Sequence, residues 1–307
     1  MWEIIQQIGG IPPINPENIR GITADCNKQP KVHNKHIVQW AEASSPSRPA
    51  IVFVPGFMTQ TSKSSPMDAW TPDIIQLARQ YDFAAYGLYW PSGSLMNLLL
   101  GDQWMSTTAA FAGLRLGALG MFGLPMLLNP ILLGPVLGIG GPLIYKAMST
   151  WKKAVEIADQ TAENPDAWLS AINRPTILIG HSLGGRIALQ ASRFTKSTNI
   201  LQTYALAPAI LEDDCDFTQV NANIKGKSVV YYSENDAILN FLYRAGELTL
   251  TQPLGFTGVQ KKKHRSDIQS FNVSTWKGHE MGHQDYNLHI HSLLHHPRLA
   301  QKLQNWS

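Results

Sequence analysis

The chain has 307 residues, of which 44% are hydrophobic and only 15% charged. That length suits one large α/β domain with an insertion, or at most two domains. A net charge of +3 is too small and too dispersed to argue for a nucleic-acid partner, and the one basic run, Lys261 to Lys263 with Arg265, reads as a solvated loop. Two cysteines, Cys26 and Cys215, make no disulfide framework and read as reduced thiols in a reducing compartment. Cys215 follows Glu212, Asp213 and Asp214, acidic neighbours that raise a thiol pKa. Met1 to Ile5 has no basic segment before an apolar one, so no cleavable signal peptide is expected.

In chain order, residues 1–33 carry Pro12, Pro13, Pro16 and Pro30 and read as an irregular N-terminal arm. His36 to Trp40 reads as a first strand, and Ala43 to Pro49 as a turn. Ala50 to Val54 is a continuous apolar, β-branched run, the pattern of a parallel strand buried on both faces. Pro66 to Tyr81 has helical spacing, with Trp70, Ile74, Leu77 and Ala78 on one face. Phe83 to Tyr89 reads as the next strand. Trp151 to Ile172 reads as helix, Thr176 to Ile179 as strand and Leu183 to Phe194 as helix. Leu201 to Leu206 and Ser228 to Tyr232 read as strands, Asp236 to Gly246 as a short helix, and Phe271 to Thr275 as the last strand. Alternating strand and helix predicts a mostly parallel sheet covered by helices on both faces.

Ser92 to Thr150 interrupts this alternation. From Leu116 to Tyr145, 30 consecutive residues carry no charge. Spanning a bilayer takes about 20 apolar residues per helix. Eleven glycines and prolines between Gly117 and Pro142 rule out one straight helix. Two apolar helices meeting near Asn129-Pro130 fit better, as a membrane hairpin or as a cap over the body. The organisation expected is therefore an arm (1–33), a core (34–91 and 151–307) and an apolar helical insertion (92–150).

Gly180-His181-Ser182-Leu183-Gly184-Gly185 contains Gly-x-Ser-x-Gly between an apolar strand and an apolar-faced helix. That context fits a nucleophile elbow, in which Ser182 sits on a strained turn and glycines on either side avoid collision. The helix after it aims its N-terminal N–H groups at a developing oxyanion. The expected donors are the backbone N–H groups of Leu183 and of Phe57, in the loop directly after the strand Ala50 to Val54. The triad order of such sites is Ser, then acid, then His. The acid is read as Asp236, after Ser228–Tyr232, with Asp213 or Asp214 as fallback. The base is read as His283, with His279 as the alternative.

His279-Glu280-Met281-Gly282-His283 also satisfies the zinc-protease pattern, and His289 stands where a third ligand would be. That rival needs one helix to present both histidines, and Gly282 weakens it. It also needs glycine where Tyr286 stands, and a later methionine turn, yet no Met follows Met281.

Five segments carry a family resemblance. They are Phe53-Val54-Pro55-Gly56-Phe57, Tyr86-Gly87-Leu88-Tyr89-Trp90, the elbow at 180–185, Tyr231 to Asp236 continuing to Leu242-Tyr243-Arg244, and Gly282-His283-Gln284-Asp285-Tyr286. Here the chain resembles an α/β-hydrolase-fold family labelled a domain of unknown function, which includes the transmembrane and coiled-coil domain-containing proteins. The resemblance implies Asp236 as acid, His283 rather than His279 as base, and apolar, membrane-inserted segments matching residues 105–148. The chain departs from the family in lacking a long N-terminal helical region.

The reaction expected is ester hydrolysis through Ser182, Asp236 and His283, with no metal or organic cofactor. The insertion leaves the sheet after Tyr89-Trp90, at the edge where ligands bind in an open parallel sheet. An acyl-ester or lipid substrate, membrane contact and a cytoplasmic-side membrane association follow as expectations, with a cytoplasmic location as the alternative. The competing class is a non-catalytic membrane-associated adaptor that keeps the fold.

Overall fold

Ala50 to Val54 is buried at every position because strands flank it on both sides and packing covers both its faces. The structure is a computed structural model that describes residues 37–57, 70–90, 149, 151–197, 199–247, 249–261, 264 and 268–294. The arm at 1–33, Cys26, and the hairpin or cap expected at 92–150, Ser149 apart, fall outside these residues. Among the described residues, no helix is long and apolar enough to cross a membrane.

The elements run β1 (Ile37–Ala41), β2 (Ala50–Val54), α1 (Thr71–Tyr81), β3 (Ala84–Leu88), α2 (151–163), α3 (Asp166–Leu169), β4 (Thr176–His181) and α4 (Leu183–Phe194). They continue with β5 (Ile200–Leu206), α5 (Phe217–Asn223), β6 (Ser228–Tyr232), a π-helical turn (Leu239–Tyr243), α6 (Arg244–Glu247) and α7 (Leu254–Thr257). β7 (Ile268–Asn272), β8 (Thr275–Trp276), β9 (His279–Glu280) and α8 (Tyr286–Leu294) complete the set. Among the described residues, seven strands form one sheet in the order β1-β3-β2-β4-β5-β6-β7. β1 is antiparallel to β3, and the other pairs are parallel. The strand order, the antiparallel edge and the turn between β4 and α4 are those of the α/β-hydrolase fold. The order reverses between β2 and β4, so their C-terminal ends open the crevice where such sheets place a site.

Three expected boundaries shift. The helix read as Trp151 to Ile172 breaks after residue 163, because Pro165 cannot continue it and restricts Asn164. The last sheet strand is Ile268–Asn272 rather than Phe271 to Thr275, since Ser228 to Tyr232 pairs with it residue for residue. Thr275-Trp276 instead turns back on His279-Glu280 through Lys277 (φ 51°) and Gly278 (φ 83°). Two successive left-handed residues are what a two-residue hairpin of this twist requires. The stretch from Asp236 to Gly246 is helical but passes through the π turn.

Asp73, in the first turn of α1, has its pKa raised to about 6 by burial. His291 Nε2 on α8 stands 3.7 Å from its carboxylate, and 35% of the Asp73 side chain stays exposed. A carboxyl whose folded pKa lies above its unfolded one favours folding when protonated, and that contribution is lost as pH rises through the window between the two. Asp73→Asn should therefore gain stability relative to the parent between pH 4 and pH 8, by on the order of 1 kcal/mol after allowance for solvent screening. Urea unfolding at both pH values measures it. A difference that does not change with pH would contradict the burial argument.

Candidate active site

Ser182 joins β4 to α4 with φ 56° and ψ −122°. An L-residue adopts this backbone only where its surroundings impose it. The Ser182 N–H donates to Leu206 O at 3.0 Å, and its carbonyl accepts from Gly185, Arg186 and Ala209 at 3.0, 3.2 and 3.1 Å. The glycines are steric necessities. A Cβ on Gly180 would stand 2.1 Å from Gly184 O, and one on Gly184 would stand 2.0 Å from Val54 O. Behind the elbow, α4 is buried from Leu183 to Ser192. Its Arg186 makes a two-point ion pair with Asp159 of α2, at 2.6 and 2.9 Å. α4 is thereby packed along its length and tied to α2.

The loop after β2 lies directly against the serine. A Cβ on Gly56 would come within 2.8 Å of Ser182 Cβ. The loop also faces the first turn of α4, where a Cβ on Gly184 would stand 2.6 Å from Pro55 O and where the Leu183 N–H has no intrahelical carbonyl to bind. Two tryptophans secure the loop. Trp90 Nε1 donates to Pro55 O at 2.8 Å. Trp151 meets the Phe57 ring edge-on at 6.0 Å and meets Tyr243 likewise at 5.9 Å, while its Nε1 donates to Glu247 at 2.8 Å. Residues 90 and 151 flank the insertion (92–150) in the sequence, so the described residues on either side of it rest on this loop.

Asp236 follows β6 and is fully buried. Its Oδ1 accepts from the Leu239 N–H at 2.8 Å, and its Oδ2 lies 2.6 Å from His283 Nδ1. It is both a cap of the following turn and the partner of the histidine. A carboxylate on Nδ1 holds the proton there and leaves Nε2 with a free lone pair. The His283 loop has further ties. Ser233 Oγ donates to Met281 O. The Met281 N–H donates to Ser274 O at 3.0 Å, and the Gly282 N–H to Asp285 Oδ2 at 2.6 Å.

The alternatives stand elsewhere. Asp213 lies in the turn Glu212–Asp214 and pairs with Lys261 Nζ, which places the first residue of the basic run on the acidic trio. His279 is exposed on β9, its ring 5.6 Å from that of His289. The His-Glu-x-x-His segment is a short strand followed by a turn, so no helix presents both histidines. Among the described residues, no three His, Cys, Asp or Glu side chains stand close enough to hold a metal. The Cys215 thiol is pushed far above its usual range, chiefly by burial, with the acidic neighbours Asp216 and Asp214 secondary; that corrects the cause expected from sequence.

Sequence reasoning missed His181. It is buried, its Nε2 faces the His283 carbonyl at 2.9 Å, and its ring lies 4.8 Å from that of Trp70. Its place inside the elbow motif was the available signal. Trp90 and Trp151 were also missed, and no sequence pattern marks them as neighbours of Phe57.

No curated protein matches the sequence. Similar solved structures include a poly(3-hydroxybutyrate) depolymerase from Bordetella parapertussis, at 12% identity and TM-score 0.43, over 88% of this chain and 89% of that one. An esterase from Pyrococcus furiosus is similar at 8% identity and TM-score 0.41, over 96% and 95% of the two chains. An esterase from the planctomycete Thermogutta terrifontis is similar at 11% identity and TM-score 0.39, over 89% and 90%. Likeness this distant says nothing of the reaction; strand order and elbow carry the fold. The chain has the α/β-hydrolase fold, and its residues 148–300 match the family model described as a protein of unknown function (DUF726).

Proposed function

We propose that the protein is a serine hydrolase that cleaves a carboxylic ester of an acyl lipid. The observation that carries this reading is the His283 Nδ1–Asp236 Oδ2 contact of 2.6 Å, set beside a serine whose backbone is held at φ 56°. His283 Nε2 takes the proton of Ser182 Oγ as Oγ attacks the ester carbonyl. The oxygen that gains charge is met by the N–H groups of Leu183 and Phe57. The bond to the leaving oxygen then breaks, and that oxygen leaves as an alcohol with the proton from His283. Water attacks the acyl-enzyme, gives one proton to His283, and the serine recovers it as the acid departs. Asp236 holds the imidazole in the required tautomer and stabilises its cation.

The lipid part rests on the insertion. It holds 30 consecutive uncharged residues, Leu116 to Tyr145, and the described residues that flank it in the sequence, Trp90 and Trp151, both pack on the loop after β2. An apolar sequence of that length, inserted after Trp90 at the C-terminal end of β3, suits an acyl chain or a membrane surface better than a small polar ester. On this reading the protein acts at a membrane, and residues 105–148 provide the contact.

A fluorophosphonate probe tests the chemistry. It should label the protein once, and peptide mass spectrometry should find the adduct on Ser182. An adduct elsewhere, or no adduct on folded protein, would sink the reading.

A further inference from the structure

His181 stands between Gly180 and the nucleophile, and the cleavage steps do not use it. Its side chain is buried among aromatic rings. Ring centroids lie 4.8 Å away at Trp70, 4.8 Å at His283 and 5.9 Å at Tyr286. Nε2 is 2.9 Å from the backbone oxygen of His283. A carbonyl only accepts, so Nε2 carries the hydrogen and donates it. Nδ1 is buried with no hydrogen-bond partner. Burial, and next the neighbouring His283, hold the pKa of His181 well below the ordinary histidine value. His181 is therefore a neutral imidazole with one tautomer.

We propose that His181 is a positioning residue, whose Nε2–H holds the His283 carbonyl and so ties the loop of the base to the nucleophile elbow. The inference rests on the triad reading above. Asp236 grips the imidazole at Nδ1 alone, and one bond leaves the ring free to swing about it. Ser233 and Asp285 steady residues 281–282 against the acid loop and against the loop itself. Of the bonds described for residues 281–283, that of His181 alone reaches the strand end carrying Ser182. A misplacement of about 1 Å between reacting groups costs on the order of 10²-fold. Neutrality also matters. His283 becomes a cation during each proton transfer, and a second cation 4.8 Å away in a buried site would oppose it.

Three substitutions in the full chain separate this role from space filling. A Gln amide nitrogen reaches about where Nε2 stands, an Asn amide only about where Nδ1 stands, and Phe keeps the ring but donates nothing. With a p-nitrophenyl ester, His181→Phe and His181→Asn should lower kcat by about 10- to 100-fold with KM within about twofold. His181→Gln should keep kcat within about threefold of the parent. The downfield proton resonance of His283 Nδ1–H should persist in the Gln variant and shift or broaden in the other two. If His181→Phe does not fold, as judged by cooperative melting, the Gln and Asn pair decides. Equal kcat in Gln and Asn variants, or a Phe variant as active as the parent, would overturn the proposal. A parent protein that neither takes the probe on Ser182 nor turns over the ester overturns the triad reading instead.

Discussion

His283→Ala is expected to lower kcat for a p-nitrophenyl ester by on the order of 10³-fold or more. In the proposed mechanism the imidazole takes the Ser182 proton, and its Nδ1 faces a fully buried carboxylate 2.6 Å away. Without it the serine hydroxyl stays a poor nucleophile, because no other base is described at the elbow. His181 cannot substitute: its Nε2 is bound to the His283 carbonyl and burial opposes its protonation. His279→Ala should change kcat by no more than about twofold, since His279 is exposed on the β8–β9 hairpin and its ring neighbour is His289. Ser182→Ala should match the loss in His283→Ala, and the double variant should lose little more, because triad members act as one unit. Steady-state kinetics on the four variants and the parent measures this. A larger loss from His279→Ala than from His283→Ala would mean that the histidine has been misassigned.

The parts of this molecule legible in its sequence are those where local chemistry leaves few choices. β2 and β4 read as strands because burial on both faces demands apolar side chains throughout. The elbow reads as an elbow because backbone atoms stand where side chains at residues 180 and 184 would be. Asp236 and His283 could be placed in order along the chain, but their meeting depends on how β6 and the loop after β9 stack, which no pattern in either segment encodes. Where local signals conflict, the reading slips. Ile268-Gln269-Ser270 looks too polar for a strand, yet pairing with β6 recruits it at the sheet edge, where only one face must be buried. The π turn at Leu239–Tyr243 likewise follows from packing rather than from residue spacing. The contacts of His181 with His283, and of Trp90 and Trp151 with the loop after β2, join residues 102, 35 and 94 positions apart.

Gly184→Ala should destabilise the fold by on the order of 3 kcal/mol and lower kcat at least about 100-fold. The added methyl would stand 2.0 Å from Val54 O and 2.6 Å from Pro55 O. Both are backbone atoms, so no rotamer change relieves the clash. Either the first turn of α4 moves or the end of β2 does. β2 is bonded to β3 on one side and β4 on the other, with Val54 opposite Gly180, so it cannot yield alone. The relief must open the gap between Leu183 and the Pro55–Phe57 loop, and that gap is where the two oxyanion donors converge in the proposed mechanism. Stability and rate should therefore fall together. Gly278→Ala provides the contrast. Its Cβ would meet nothing within 4 Å, but its φ of 83° disfavours any side chain. It should cost about 1 kcal/mol with kcat unchanged, since the β8–β9 turn carries none of the proposed site. Urea unfolding and ester turnover on both variants make the comparison. If Gly184→Ala keeps the parent's kcat, the elbow and β2 can part without harm, and the steric reason given for the glycine is wrong.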